Sequence, residues 1–125
     1  MTDLTNIGVS AEASEIAKDL STRYCFRDAL SFLQFAMSYA LSNHLKDIDF
    51  ELLDSQYDSS GLHYNVGSIR KSTLITTVFS TILPECSTPY RYIRVLMIYG
   101  TYKIKERIDA GDDFSTIITI HDNQL

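Results

Sequence analysis

The sequence has no tryptophan and only two cysteines, Cys25 and Cys86, in 125 residues. The two cysteines lie far apart and form no C-x-x-C motif, which excludes a disulfide-rich scaffold and a redox motif of that type. We therefore expect two buried, reduced thiols in a cytoplasmic protein. A single disulfide between them is the alternative.

Long apolar runs are also missing. Polar residues interrupt each apolar stretch well before the roughly 18 positions that a membrane-spanning helix needs, so no membrane association is expected. No basic start followed by an apolar run and a small-residue cleavage site is present, so secretion is not signalled. Both absences favour a cytoplasmic location.

Catalytic motifs are the third absence. The chain has no nucleophile beside a base, no glycine-rich phosphate loop and no zinc-ligand spacing. Two carboxylate pairs, Asp54 with Asp58 and Asp112 with Asp113, are of a type that can hold a divalent cation or exchange protons, but they lie in polar links, where solvated carboxylates are usual. The histidines are single and scattered: His44, His63 and His121. We therefore expect no enzymatic activity, no cofactor and no metal.

The composition that remains is that of a globular protein. It is 45% hydrophobic and 22% charged, and its length suits one domain with a sizeable core. We predict a single domain over 1–125 that is mainly α-helical with minor β-structure. Its parts are a strand-helix-helix unit (1–45), an acidic link with a short strand (46–69), a helical pair (70–111) and an acidic tail (112–125).

The strand-helix-helix unit contains the most apolar helix of the chain. A short strand over 4–10 leads into a helix capped by Ser10, and a break precedes a second helix over 26–45. Apolar residues cover nearly the whole circumference of this second helix, which is typical of a core centre or of a seam between subunits. We expect a homodimer or higher oligomer with this helix at the interface. The interface residues would be Phe32, Phe35, Met37 and Tyr39.

The acidic link mixes carboxylates with apolar residues. Over 46–60 their alternation indicates a short extended segment or a connecting turn of helix, and alternation over 62–66 predicts a second short strand. A helix is then expected over 70–83, although its threonines are weak helix formers.

The last long helix has clear start and stop signals. Thr88 followed by Pro89 predicts its beginning, and Gly111 is placed to cap its end. Beyond it, residues 114–120 predict a late strand.

Charge is unevenly distributed along the chain. The formal balance is −6 over residues 1–69, +5 over 70–107 and −4 over 108–125. This segregation indicates a charged interaction surface in the second half, of a kind that meets an acidic partner.

On a helical projection, the last helix carries basic and aromatic residues on one face. Such interleaving suits phosphate contact and base stacking, and two basic residues at the start of the preceding helix would extend the face. Alternatively, the tyrosines pack and the basic side chains are solvated or pair with the acidic first half. The candidate nucleic-acid contacts are Arg70, Lys71, Arg91, Arg94, Tyr102 and Lys105.

The order strand, helix, turn, helix in NIGVS, AEASEIAKDLSTRY and FRDALSFLQFAMSYALSN resembles the ribbon-helix-helix superfamily of small DNA-binding proteins, over about a third of the chain. The resemblance implies a strand that pairs with its copy from a second chain and enters the major groove, and a second helix that packs across the dimer. The strand departs from the family by offering only Thr5 and Asn6 around Gly8, where basic or amide side chains usually alternate. The architecture therefore carries over more readily than groove recognition.

A second resemblance covers the order of two helices, an acidic link, a glycine-containing turn and two further helices. On the stretches IGVSAEASEIAKDL and DSSGLHYNVGSI, the chain is similar to the small DndE family of DNA phosphorothioation systems. This resemblance implies oligomerisation and DNA binding.

Two functional hypotheses follow from these patterns. The first is a small non-enzymatic DNA-binding protein that acts as an oligomer, in regulation or as an accessory of a DNA-modification system, with affinity supplied by phosphate neutralisation. The second is an adaptor subunit whose charged halves meet another protein or another copy of the chain, without nucleic acid.

Overall fold

The computed structural model describes residues 2–69 and 86–118, and the chain is mainly helical, as the sequence predicts. The helix expected over 70–83 lies outside the described residues. The elements in chain order are β1 (Asn6–Gly8), α1 (Ala11–Arg23), α2 (Ala29–His44), a 3-10 turn (Leu45–Asp47), α3 (Phe50–Gln56), β2 (His63–Asn65), α4 (Val66–Ile69) and α5 (Pro89–Asp109).

Local capping sets the beginnings of the first two helices. The Ser10 hydroxyl accepts the N–H of Ala13 at 3.2 Å, as expected for an N-cap. The Asp28 carboxylate accepts the N–H of Ser31 at 2.8 Å. Because Asp28 is the N-cap, α2 begins at Ala29, and the residues before it form the connection rather than a first helical turn.

Helix α5 ends where the sequence predicts. Gly111 has a φ of +96°, a left-handed conformation that glycine adopts without a steric penalty. Its N–H donates to Ile108 O and the N–H of Asp112 donates to Arg107 O, both at 3.0 Å. These two bonds form a Schellman motif, which pairs carbonyls that the helix end leaves without intrahelical partners.

The beginning of α5 is capped by a residue that is distant in sequence. Thr88 occupies the N-cap position, but its side chain makes no capping hydrogen bond. The Asp3 carboxylate instead accepts the N–H groups of Tyr90 and Arg91, both at 3.2 Å. A carboxylate at this end is favourable because it meets unpaired donors and the positive end of the helix dipole.

The core lies mainly between α2 and α5, with α1 packed against both. The two long helices approach closely at Gly100, whose Cα faces the backbone of Ala36, so that an added Cβ would overlap the Ala36 carbonyl oxygen. The largest fully buried side chains are Ile7, Leu20, Phe32, Leu33, Met37, Ile69, Ile93, Leu96, Met97, Ile98 and Ile104.

The late strand expected over 114–120 is wrong for its described part, because residues 114–118 are helical. Phe114 is 7% exposed and stacks on Tyr24, with 4.1 Å between the ring centroids. Burial of this ring against the end of α1 stabilises the turn of helix, and the β-branched residues that suggested a strand do not override it.

The two strands pair with each other inside one chain. β1 and β2 are antiparallel, with Asn6 opposite Asn65, Ile7 opposite Tyr64 and Gly8 opposite His63. The ribbon-helix-helix resemblance implied instead that the first strand pairs with its copy from a second chain. One edge of β1 is therefore already occupied by the chain itself.

The acidic link is helical rather than extended. Of the two alternatives for residues 46–60, the structure has helical turns, namely the 3-10 turn and α3, and not an extended segment. Asp49 caps α3 by accepting the N–H of Leu52 at 3.2 Å. Both cysteines are free, but Cys25 is exposed and Cys86 is partly exposed, so the expectation of two buried thiols is wrong for both residues.

Candidate functional site

The candidate nucleic-acid contacts do not form one exposed basic face. Arg70 and Lys71 lie outside the described residues. Arg94 is buried at 3% exposure, and Arg91 is partly buried, whereas Tyr102 and Lys105 lie further along α5. The prediction that Arg94 presents its charge to solvent is wrong, because the helical projection could not show which elements pack over that face.

Arg94 instead fixes the loop that follows α3. All three guanidinium nitrogens donate to acceptors from the chain itself, at distances of 2.7 to 3.2 Å. Such a set satisfies the buried charge and pairs several carbonyls that lack partners in secondary structure. The acceptors are Gly8 O, Asp54 O, Asp54 Oδ1, Tyr57 O, Asp58 O and Ser59 Oγ.

Asp54 neutralises two arginines of α5. Its carboxylate is 3.0 Å from Arg94 Nη1 and 3.3 Å from Arg91 Nη1, and its side chain is 18% exposed. Arg91 also donates from Nε to Thr2 O at 2.9 Å. Of the carboxylate pair Asp54 and Asp58 that the sequence offered, the first is therefore part of an internal ion pair.

The remaining basic residues of α5 also have acidic partners. Lys103 pairs with Glu106 at 3.2 Å and Lys105 with Asp109 at 2.5 Å. Arg107 lies 2.9 Å from Asp112 and donates to the Tyr39 hydroxyl at 3.2 Å. The hydrogen bonds to Tyr39 and Asp112 raise the pKa of Arg107 further above its ordinary value, so it stays charged. All five basic residues of this helix therefore pair with carboxylates of the same chain, which was the alternative to phosphate contact.

Tyr102 packs rather than standing free for stacking. Its hydroxyl lies 2.8 Å from Ser10 Oγ, and its ring meets Tyr57 edge-on, with 5.8 Å between the centroids. Burial raises the pKa of Tyr57 to about 12, and burial also raises that of Tyr102. Both phenols are therefore neutral near pH 7 and are not poised for proton transfer.

Asp58 joins the loop to the beginning of α1. Its carboxylate accepts the Ser60 hydroxyl at 2.5 Å, the Ala11 N–H at 2.9 Å and the Ser60 N–H at 3.2 Å. The Ser60 hydroxyl, followed by the Ala11 N–H, lowers the pKa of Asp58 to about 2. These bonds favour the ionised form and fix the 58–60 turn against the helix end.

This lowered pKa predicts an acid-dependent contribution to stability. The folded-state pKa lies below the ordinary value of 3.8, so the carboxylate stabilises the fold above about pH 4, and this contribution is lost as pH falls from about 4 to about 2. Urea unfolding between pH 2 and 7 should show wild type more stable than Asp58→Asn at neutral pH, with the difference shrinking on acidification. Asp19→Asn, an exposed change on α1, is the control; a pH-independent difference for Asp58→Asn would contradict the assignment.

The expected oligomer-interface residues lie largely inside the chain. Phe32 and Met37 are fully buried and Tyr39 is 2% exposed, while Phe35 is partly buried beside Phe26 and Phe114. The predicted interface role of these residues has to be corrected. Helices α1 and α5 of the same chain cover the apolar surface of α2 that was expected to contact a second copy. Apolar periodicity identifies a buried helix but not the chain that buries it.

A groove on the acidic link was missed as a site. Residues 46–51 and Tyr92 line an open cavity of about 500 Å³. Two of the lining residues, Phe50 and Tyr92, stack on each other, with 4.3 Å between ring centroids and planes at 10°. The sequence carried a signal for this groove, since acidic and apolar residues alternate over 46–52, but it did not show that Tyr92 of α5 would complete the surface.

Among residues 2–69 and 86–118, no group of three or more histidine, cysteine, aspartate or glutamate side chains converges on a metal-sized site. Within the same ranges, no helix combines the length and apolar character that crossing a membrane requires. Comparison with protein-family models, with curated proteins and with solved structures gave no match.

Proposed function

We propose that this chain is a non-enzymatic protein-interaction subunit that does not bind nucleic acid. One observation supports this proposal above the others: each basic side chain of α5 is paired with a carboxylate of the same chain. A phosphate backbone would have to displace the mostly buried Asp54 from Arg91 and Arg94, whereas the exposed pairs of Lys103 and Lys105 present only a small barrier. A chain of net charge −5 also repels phosphate at long range. Proteins with an acidic and partly apolar surface instead suit a basic partner protein.

DNA binding by an oligomer is the second candidate. The +5 balance of residues 70–107 favours it, and Arg70 with Lys71 would then carry most of the phosphate contact. This function predicts an affinity that falls steeply as salt rises, because counterions are released on binding.

Fluorescence anisotropy with a labelled duplex at two salt concentrations separates the two functions. The interaction subunit should show no saturable binding tighter than about 10 μM near physiological salt. Binding in the low micromolar range that weakens steeply with salt and is lost in Arg70→Ala with Lys71→Ala would overturn the proposal in favour of DNA. Lys18→Ala with Lys46→Ala removes the same charge elsewhere and is the matched control.

The protein-interaction function needs a positive result as well. Cross-linking in the native host should yield a partner that, once purified, forms a complex of defined stoichiometry with this chain in light scattering. The function would be contradicted if the chain, mixed with each purified candidate partner at every tested concentration, eluted without that partner.

A further inference from the structure

We propose that the groove formed by residues 46–51 and Tyr92 docks a basic segment of a partner protein that carries an apolar anchor side chain between its lysines or arginines. This inference rests on the proposed interaction function and deepens it by naming the surface and the partner's chemistry. It depends on the shape, the charge and the exposed apolar area of the groove together.

The groove is a wide, open depression of about 500 Å³. A side chain that rests in it contacts the lining residues on one side and stays partly in solvent. Its lining includes a stacked pair of rings from two elements, Phe50 at the start of α3 and Tyr92 in the first turn of α5. Because the stack fixes both rings, an incoming apolar side chain meets a preformed surface and little ordering is needed on binding.

Exposed apolar residues flank the lining segment in sequence. Of the three large hydrophobic residues that are exposed in the described part of the chain, Leu45 at 38% and Leu52 at 50% directly precede and follow residues 46–51, although neither lines the groove. An apolar area bordered by charged residues is the arrangement expected of a protein interaction site.

The charge selects the occupant. The lining holds three carboxylates, Asp47, Asp49 and Glu51, against one lysine, Lys46. Asp47 lies 3.4 Å from His44 and its side chain is 65% exposed, while Glu51 is exposed and has no ion-pair partner within residues 2–69 and 86–118. These carboxylates are accessible to lysine or arginine side chains, and they repel nucleic acid and anionic lipid.

A second copy of the chain is a poorer occupant. A two-fold contact through this groove would set the same carboxylates against each other, and like charges across an interface are costly. In another contact geometry, Arg91 and Arg94 of a second copy could not reach the groove without leaving the mostly buried Asp54 unpaired. A basic segment from a different protein avoids both penalties.

The test uses the full-length, ¹⁵N-labelled chain and a blocked synthetic peptide in which one tryptophan and two leucines are set among lysines and serines. We expect saturable binding with a dissociation constant of about 10–100 μM, with the largest amide shift changes at residues 46–51 and Tyr92. A peptide with glutamate in place of each lysine should not bind. Shift changes centred elsewhere, or no saturation with the lysine peptide, would overturn the inference.

Charge reversal sharpens the result. Asp47→Lys with Glu51→Lys should weaken the lysine peptide at least about tenfold and allow the glutamate peptide to bind. Glu15→Lys with Asp19→Lys makes the same change in net charge on α1 and should leave the affinity for the lysine peptide within about twofold. Equal effects of the two double variants would refute a groove-specific site. Unchanged circular dichroism checks that both variants fold.

The failure of this inference is distinguishable from that of the proposed function. If a purified natural partner binds the groove variant and wild type equally, the interaction function stands and this docking site is wrong. If the lysine peptide binds the groove but no natural partner forms a complex, the groove chemistry is right and the interaction function is wrong.

Discussion

Replacing Arg94 by methionine should destabilise the fold by about 3–5 kcal/mol, because it leaves a partly buried carboxylate and several backbone carbonyls without their donor. The Asp54 side chain is 18% exposed and, among residues 2–69 and 86–118, would keep Arg91 as its one ion-pair partner. For a domain of this size the melting temperature should fall by about 10 °C or more. Urea unfolding followed by circular dichroism measures the change.

Two companion variants keep this prediction testable if Arg94→Met does not fold. Arg94→Lys retains the charge but not the planar fork of donors, so it should lose about 2 kcal/mol. Lys105→Met removes a basic residue from the same helix, and because its ion pair is solvent-exposed the loss should stay below about 0.5 kcal/mol. An Arg94→Met protein as stable as Lys105→Met would show that the arginine is not the organiser of the 54–59 loop.

Replacing Gly100 by alanine should destabilise the protein by about 2–4 kcal/mol, although alanine is the better helix former by about 1 kcal/mol. The added Cβ would overlap the carbonyl oxygen of Ala36, so α2 and α5 would have to separate along their main contact. The free energy of unfolding, measured in urea, should therefore fall, whereas helix propensity alone would raise it.

Controls for Gly100→Ala isolate the backbone overlap. Gly67→Ala, at an exposed position where the nearest atom is the end of the Asn65 side chain, should change stability by no more than about 1 kcal/mol. Adding Ala36→Gly to Gly100→Ala should not restore stability, because the obstruction is a main-chain oxygen that the second change leaves in place. A stabilised Gly100→Ala protein would contradict the close helix approach.

The elements that were predicted correctly are those with local causes. The Ser10 hydroxyl bonds to an N–H group in the next turn, and Gly111 ends a helix whose carbonyls lie a few residues back. Such signals depend on neighbours within about one helical turn, so the sequence contains all that they need. The mainly helical class follows from the same local rules and from apolar periodicity.

The candidate site was harder to predict because it depends on distant residues. Arg94 and Asp54 are separated by 40 positions in the chain, and periodicity placed Arg94 on a basic face without showing that a loop would pack over it. The same limit applies to α2. Its sequence is apolar on all sides whether a second subunit or α5 of the same chain buries it, so the pattern does not tell the two cases apart. Tyr92 joined the groove for an equally non-local reason, the packing of α3 on α5.

By itself the sequence determined the helical class, the Ser10 cap of α1 and the turn that ends α5, since each follows from hydrogen bonds and apolar spacing over a few residues. Only the tertiary structure decided that Asp3 caps α5, that Arg94 is buried and that Asp54 pairs with Arg91 and Arg94. The physical reason is that these contacts depend on which distant segments meet, and a short-range pattern carries no information about that meeting.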